Sequence, residues 1–131
     1  GLRHFFEDFI TPEMVGTVKP HAAIYRAAVK GDHSLCLHVG DMMIHDVWGA
    51  SQAGFEPVWV RRDLPKELDD LQPWDRPARP EVRGLIKEAF EADLCSDAYP
   101  EARVKDCSPV YIIKDLSELL AVVEYARREV A

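Results

Sequence analysis

Two carboxylates stand five residues apart in the run 39–46, Val-Gly-Asp-Met-Met-Ile-His-Asp. Asp41 comes at the carboxyl end of a predicted strand, and Asp46 follows in the turn or in the first turn of the next predicted helix. Because ligands of open parallel sheets bind at the carboxyl ends of the strands, both carboxylates would face the ligand crevice. Mg²⁺ prefers one or two protein carboxylates together with waters and substrate phosphate, so the pair suits a magnesium site. The alternative is structural: Asp41 would cap the helix and Asp46 would favour its dipole.

Lys19 is the third residue whose type and position suit a chemical role. It stands immediately before Pro20, where a helix is predicted to begin, so its cation adds to the positive end of the helix dipole. A phosphate group would bind in such a position. The alternative is a solvent-exposed lysine without a ligand, which is the commoner meaning of a single lysine at this place.

The elements that must position these side chains can be predicted from apolar patterns and from proline and glycine. Residues 20–30 open with proline and end against Gly31, which predicts a helix. The apolar run 34–39 predicts a strand, residues 42–53 a second helix and residues 56–61 a second strand. Alternation of helix and strand at this spacing is typical of βαβ crossovers. We therefore expect an α/β fold with a parallel sheet and helices on its faces.

The composition changes after the second predicted strand. Residues 63–107 hold five of the nine prolines and carry twelve acidic against seven basic side chains. Within them only 81–92 shows an apolar stripe at helical spacing, so we interpret the segment as an acidic, proline-rich insertion with one helix. The α/β pattern resumes in residues 108–131, where a predicted strand at 110–113 precedes a helix that opens with a capping box at Asp115.

Taken together, these motifs resemble the C-terminal half of the haloacid dehalogenase-like (HAD) hydrolases. The resemblance covers residues 4–62 and 108–125, the second range being similar to the closing strand and helix of that family. The motifs that carry it are Val-Lys-Pro at 18–20, Val-Gly-Asp at 39–41 with Asp46, Gly-Ala at 49–50 and Ala-Gly at 53–54.

By this resemblance, Lys19 corresponds to the third motif of the family, which stabilises the aspartyl-phosphate and its negative charge. Asp41 and Asp46 correspond to the acidic fourth motif, which holds Mg²⁺. The resemblance therefore implies Mg²⁺ as the cofactor and a small phosphorylated substrate. The family also includes dehalogenases that use no metal, and the acidic pair favours phosphatase chemistry over dehalogenation.

The chain departs from the family pattern at the first and second motifs. The nucleophile of the family is the first aspartate of an Asp-x-Asp motif on the central strand, and this sequence contains no Asp-x-Asp. The second motif, a Ser or Thr, is expected upstream of Gly1. We therefore expect a partial Rossmann-like sheet that lacks the N-terminal nucleophile strand, and a chain that is inactive alone. An N-terminal segment or self-association would complete the sheet.

The motifs support two hypotheses of function. The first is a fragment of a Mg²⁺-dependent HAD-like phosphohydrolase acting on a small phosphate ester, with 1–62 as the C-terminal part of the core, 63–107 as the insertion and 108–131 as the closing strand and helix. The alternative is a non-catalytic binding or assembly module that uses the insertion as a partner surface. An upstream Asp-x-Asp motif would favour the enzyme, and a natural start near Gly1 would favour the module.

Composition limits the partners and the compartment. The 131 residues carry a formal net charge of -7, which repels nucleic acid and anionic lipid surfaces. No apolar run is long enough to cross a bilayer, and the N-terminus lacks the apolar run of a signal peptide. We expect a cytoplasmic protein that binds neither nucleic acid nor membrane. The three cysteines, Cys36, Cys95 and Cys107, are expected to be reduced thiols.

Overall fold

A three-stranded parallel sheet forms the centre of the fold. The computed structural model describes residues 1–93 and 96–131. The strands, in their spatial order, are β1 (Leu37–Gly40), β2 (Glu56–Val60) and β3 (Tyr111–Ile113). In the register of the sheet, Val39 lies opposite Val58, which in turn lies opposite Tyr111. The predicted α/β class, with a parallel sheet flanked by helices, is confirmed.

Short helices connect and cover the strands. The helices are α1 (Pro12–Val15), α2 (Ala22–Ala27), a π-helix (Met43–Trp48), α3 (Gly49–Gln52), α4 (Lys66–Asp69), α5 (Val82–Ala92) and α6 (Leu119–Glu129). Single 3₁₀ turns lie at Arg3–Phe5, Arg76–Ala78, Ser96–Ala98, Val104–Asp106 and Leu116–Glu118. Within the two described ranges, no helix has the length and apolar character needed to span a membrane.

The crossover from β1 to β2 differs from the single α-helix predicted at 42–53. Its first part is the π-helix Met43–Trp48, which α3 continues. The Val47 amide donates to the Met42 carbonyl, five residues back, across 3.2 Å, and the Asp46 amide donates to the same carbonyl across 2.9 Å. An apolar pattern at helical spacing does not distinguish the hydrogen bonding of a π-helix from that of an α-helix. The sequence therefore predicted a helix but not its type. Such π turns are frequent at functional sites.

The sheet buries different side chains on its two faces. On one face, Trp59 of β2 packs with Ile44 and Val47 of the π-helix. On the other face, Val58 of the same strand packs with Val122 of α6. Successive residues of a strand point to opposite faces, so β2 joins two hydrophobic layers.

The segment 63–107 packs against this core. It contains α5, as predicted, and also the four-residue helix α4, so it holds more regular structure than the single helix expected. Leu68 of α4 and Val82 of α5 are fully buried in the same cluster as Trp59. Because the apolar stripe of α5 is covered by the core, the segment contributes to the stability of the domain.

One edge of the sheet is open in the described part of the chain. There, β1 pairs with β2 on one side and no strand pairs with it on the other. The residues before α2 expose several large apolar side chains, namely Leu2, Phe5, Phe6, Phe9, Met14 and Val18. An open strand edge and exposed apolar side chains are typical of surfaces that bind a further segment.

Candidate functional site

Two of the residues predicted to carry chemistry are in direct contact. The Nζ of Lys19 donates a hydrogen bond to Oδ1 of Asp46 across 2.5 Å, although 27 positions separate them in the chain. The side chain of Lys19 is 42% exposed, whereas that of Asp46 is 5% exposed. A buried carboxylate therefore anchors a lysine side chain that stays accessible to a ligand.

Helix α2 reaches this position by docking closely on the crossover helix. Tyr25 of α2 is buried, and its hydroxyl donates a hydrogen bond to the backbone carbonyl of His45. A Cβ at Gly49 would lie 2.6 Å from the Cβ of Pro20, so only glycine permits this approach. Burial raises the pKa of Tyr25, and the negative charge of Asp46 raises it further, so the hydroxyl stays protonated. The docking fixes the turn that leads into α2, where Lys19 lies.

Asp46 has two further hydrogen-bond partners. His38 Nε2 donates to Oδ1 across 2.9 Å, and the Met42 amide donates to Oδ2 across 2.9 Å. An ionised carboxylate only accepts, so Nε2 of His38 is the donor in this contact. Burial alone would raise the pKa of Asp46, but the hydrogen bonds from the two side chains and the amide outweigh it and hold the pKa well below its usual range. Asp46 is therefore ionised at neutral pH.

Gly40 makes room for the Asp46 carboxyl group. A Cβ at position 40 would lie 2.5 Å from the Cβ of Asp46, and closer still to its carboxyl carbon. No side chain fits in this space, so the glycine of the Val-Gly-Asp motif is required by packing. The next residue, Asp41, is exposed to solvent instead of tightly packed.

Asp41 is exposed at the carboxyl end of β1. It lines a crevice of about 650 Å³ together with Arg62 and Asp63, which follow β2. Its backbone carbonyl accepts a hydrogen bond from Trp59 Nε1 across 3.0 Å. The structure thus presents the Asp41 side chain to solvent from a backbone that is held in place.

The two carboxylates Asp41 and Asp46 fit a Mg²⁺ site in part. Asp41 is exposed, whereas both oxygens of Asp46 accept hydrogen bonds from protein groups. In the part of the chain that the structure describes, no three His, Cys, Asp or Glu side chains are grouped to hold a metal by themselves. Mg²⁺ binds through one or two carboxylates and completes its shell with water and substrate phosphate, so the exposed Asp41 is the better placed of the two predicted ligands. The ligand roles of Asp41 and Asp46 stay predictions.

Sequence reasoning did not predict the site contacts of three residues: His38, Trp59 and Asp93. His38 lies two residues before the motif glycine and so on the same face of β1, which is the one signal that could place it beside Asp46. Trp59 and Asp93 bind the backbone of the loop that begins at Asp41, across 18 and 49 positions of sequence. No local pattern predicts contacts over such separations.

A family model matches the region that holds these residues. Residues 17–83 match the model described as HAD-hydrolase-like. The matched range is just over half of the chain. It includes Lys19, Asp41 and Asp46, the three site residues predicted from the sequence.

Curated relatives match over larger parts of the chain. It is 30% identical over 98 residues to a glyceraldehyde 3-phosphate phosphatase of Methanopyrus kandleri, covering 67% of this chain and 41% of the relative. It is 29% identical over 91 residues to the Escherichia coli pyrimidine 5'-nucleotidase YjjG, covering 66% and 40%. It is 36% identical over 78 residues to the Escherichia coli 5-amino-6-(5-phospho-D-ribitylamino)uracil phosphatase YigB, covering 57% and 32%. The chain thus spans less than half the length of these relatives. No solved structure matches it.

Proposed function

Because the chain belongs to the HAD-like hydrolases, we propose that it carries the phosphate-binding lysine and the metal-binding acid of a phosphohydrolase that acts on a small phosphate ester. The observation that carries the proposal is the contact of Lys19 with Asp46, which holds an accessible lysine on a buried carboxylate. Asp41 is exposed at the end of the strand that leads to the same helix. A cation and a hard-oxygen ligand in this arrangement suit a phosphate group and its metal ion.

Each residue has a separate role in this proposal. Lys19 binds the non-bridging oxygens of the phosphoryl group and offsets the negative charge on them. Asp46 holds the lysine in place, and Asp41 holds Mg²⁺. When bound, Mg²⁺ neutralises charge on the phosphoryl oxygens. Because the sequence has no Asp-x-Asp motif, the 131 residues bind phosphate but do not supply the attacking carboxylate.

The substrate class is inferred from what the relatives share. One is named for glyceraldehyde 3-phosphate, one for pyrimidine nucleotides and one for a phosphorylated ribitylaminouracil. These compounds have in common a phosphate ester on a small organic molecule. We propose this class for the present chain and no particular member of it.

A further polypeptide segment completes the site in this proposal, either an N-terminal part of the same protein or a second copy of the chain. It adds a strand to the open edge of β1. Three observations support it: the open edge, the chain's span of 41% or less of these relatives, and an apolar cavity of about 680 Å³. The cavity is lined in part by Lys19, Tyr25, His38 and Phe55. Light scattering of the 131-residue chain should show dimers or larger species, and a stable monomer would contradict self-association.

Magnesium titration tests the acidic part of the site. Calorimetry of the 131-residue chain with MgCl₂ should show binding that Asp41→Asn weakens, because the variant loses the charged oxygen ligand. Asp63→Asn is the matched control, since Asp63 is an exposed acid that lines the same crevice. Equal affinities of Asp41→Asn and the unmodified chain would show that Asp41 is not a ligand.

Phosphate binding tests the proposed role of Lys19, and turnover tests the expectation that the chain alone is inactive. Inorganic phosphate, followed by phosphorus NMR, should bind to the chain and not to Lys19→Gln, with Lys30→Gln as the control because Lys30 pairs with the distant Asp8. An aryl phosphate with excess Mg²⁺ should show no turnover above a metal-only blank.

The gene upstream of the Gly1 codon separates the two hypotheses: an Asp-x-Asp motif supports the phosphohydrolase, and a natural start there supports the non-catalytic module.

We also propose a cytoplasmic location. Cys36 and Cys107 are free thiols, and Cys95 lies outside the described residues. Burial raises the pKa of Cys107 to about 12, so this thiol is unreactive at neutral pH. Free thiols are typical of reducing compartments. Fractionation of cells that express the tagged protein tests the location.

A further inference from the structure

The segment 63–107 reaches the site through Asp93. This residue directly follows α5, and its Oδ2 accepts a hydrogen bond from the Ile44 amide across 2.9 Å. Asp93 is 6% exposed and Ile44 is fully buried. Ile44 lies in the first turn of the π-helix, three residues after Asp41. The contact therefore satisfies an amide at the start of that helix and links the segment to the loop that bears the proposed metal ligand.

Helix α5 fixes the position of Asp93. The apolar stripe of α5 packs on the cluster that contains Met43, Ile44 and Trp59. A cavity of about 240 Å³ lies between the end of α5 and the site loop, and both Asp41 and Asp93 line it. Asp93 is thus held by a packed helix on one wall of a small space that Asp41 also borders.

The backbone that follows Asp41 is held at three points. Trp59 donates a hydrogen bond to the carbonyl of Asp41, and Asp46 accepts one from the next amide. The third point is the Ile44 amide, two residues further on, which donates a hydrogen bond to Asp93. Trp59 and Asp46 belong to elements next to the site, whereas Asp93 comes from the segment between β2 and β3. The orientation of the Asp41 carboxylate follows this backbone, so each point contributes to it.

We propose that Asp93 is a positioning residue for Asp41, through which the segment 63–107 sets the affinity of the site for Mg²⁺. The inference rests on the proposed role of Asp41 as a metal ligand. Loss of a group that orients a metal ligand through a hydrogen bond typically weakens metal binding by roughly 10- to 100-fold. Asp93 acts on the backbone and not on the carboxylate itself, so the lower end of this range is expected.

The test compares Asp93→Ala with Asp93→Asn in the 131-residue chain. The asparagine keeps an oxygen that accepts from the Ile44 amide but has no charge, and the alanine has neither. Glu91→Ala is the matched control, because it removes an exposed acid from the last turn of α5 and leaves the packing of the helix and the hydrogen bond intact. Calorimetric titration with MgCl₂ should give about a tenfold larger Kd for Asp93→Ala. Asp93→Asn and Glu91→Ala should keep the Kd of the unmodified chain.

Amide hydrogen exchange over residues 41–46 gives a second measurement that needs no metal. Exchange there should be faster in Asp93→Ala than in Glu91→Ala and unchanged in Asp93→Asn. Unchanged exchange or an unchanged Kd in Asp93→Ala overturns the inference. An asparagine variant as weak as the alanine variant also overturns it, because the charge would then act and not the hydrogen bond. If the unmodified chain bound no Mg²⁺, the proposed metal site would be wrong, and exchange would still decide whether Asp93 positions the loop.

Discussion

Arg76→Ala is expected to remove a large part of the stability of this chain. The Arg76 side chain is 1% exposed, and its guanidinium group donates five hydrogen bonds. Two of them go to the carboxylate of Glu118, across 2.7 and 2.9 Å. The other three go to the backbone carbonyls of Leu68, Asp69 and Ile112. A single side chain therefore joins the α4 region to β3 and to the turn that precedes α6.

The expected loss of unfolding free energy follows from the Glu118 carboxylate, which loses its partner when Arg76 is replaced by alanine. Burial alone would raise the pKa of Glu118, but hydrogen bonds from Arg76 and from the Lys114 amide hold it below its usual value. Removing one partner of a buried ion pair costs about 3–5 kcal/mol, because the other charge, here on the 19% exposed Glu118 side chain, is left without its partner. Native domains have unfolding free energies of about 5–15 kcal/mol, so this is a large fraction. At about 4 °C per kcal/mol for a chain of this length, Tm should fall by about 12–20 °C.

Urea denaturation followed by circular dichroism measures the change in unfolding free energy. Arg79→Ala is the matched control, because Arg79 is exposed and its ion pair with Glu81 spans 3.7 Å. The control should change the free energy by about 0.5 kcal/mol or less. The double variant Arg76→Met with Glu118→Leu removes both charges and should recover part of the loss, because three backbone carbonyls still lack the donor that Arg76 supplied. The reasoning is refuted if Arg76→Ala is as stable as the control, or if the double variant is no more stable than the single one.

Three other perturbations test the geometry of the site. Gly40→Ala should disrupt the position of Asp46 and destabilise the fold, by about 1–3 kcal/mol for an overpacked site, and unchanged urea denaturation would show that the carboxyl group can move away. Tyr25→Phe removes the hydrogen bond to the His45 carbonyl and should cost about 1 kcal/mol, measured in the same way; no loss would mean that the bond contributes nothing net. Folding lowers the pKa values of Asp46 and Glu118 below their ordinary 3.8 and 4.5, so the unfolded chain takes up protons first as pH falls. The contribution of these two carboxylates to stability should therefore be constant above about pH 5 and decrease below it, and a midpoint that rises on acidification would contradict the sign.

Sequence patterns predicted the elements that depend on local chemistry. Apolar runs marked all three strands, and the stripe at 81–92 marked α5 at Val82–Ala92. The capping box was predicted in part: Asp115 accepts from the Ser117 amide across 2.8 Å. Glu118, its other acidic residue, instead binds Arg76 and the Lys114 amide, because a buried guanidinium offers a stronger partner than a helix terminus.

The contacts that assemble the site depend on distant parts of the chain and left no local signal. Lys19 was predicted as a phosphate ligand and Asp46 as a metal ligand, and their pairing follows from the docking of α2 on the crossover helix. Arg76 stands among prolines and acids, where an arginine is expected at the surface. Its burial requires Glu118, 42 positions away, to supply the matching charge. Rules based on residue spacing predict contacts within one helical turn or between two paired strands, but not contacts between more distant residues.

The bond between Lys19 and Asp46 also determines when conformational entropy is lost. A free lysine side chain samples many rotamers, and fixing it costs up to about 2 kcal/mol. In this fold Asp46 already holds the ammonium group at 2.5 Å, so that loss occurs during folding and not when an anion arrives. In the proposed phosphate site, part of the affinity for an anion is thus contained in the stability of the folded chain. A substitution that loosens Asp46 would weaken anion binding without touching any atom that contacts the anion.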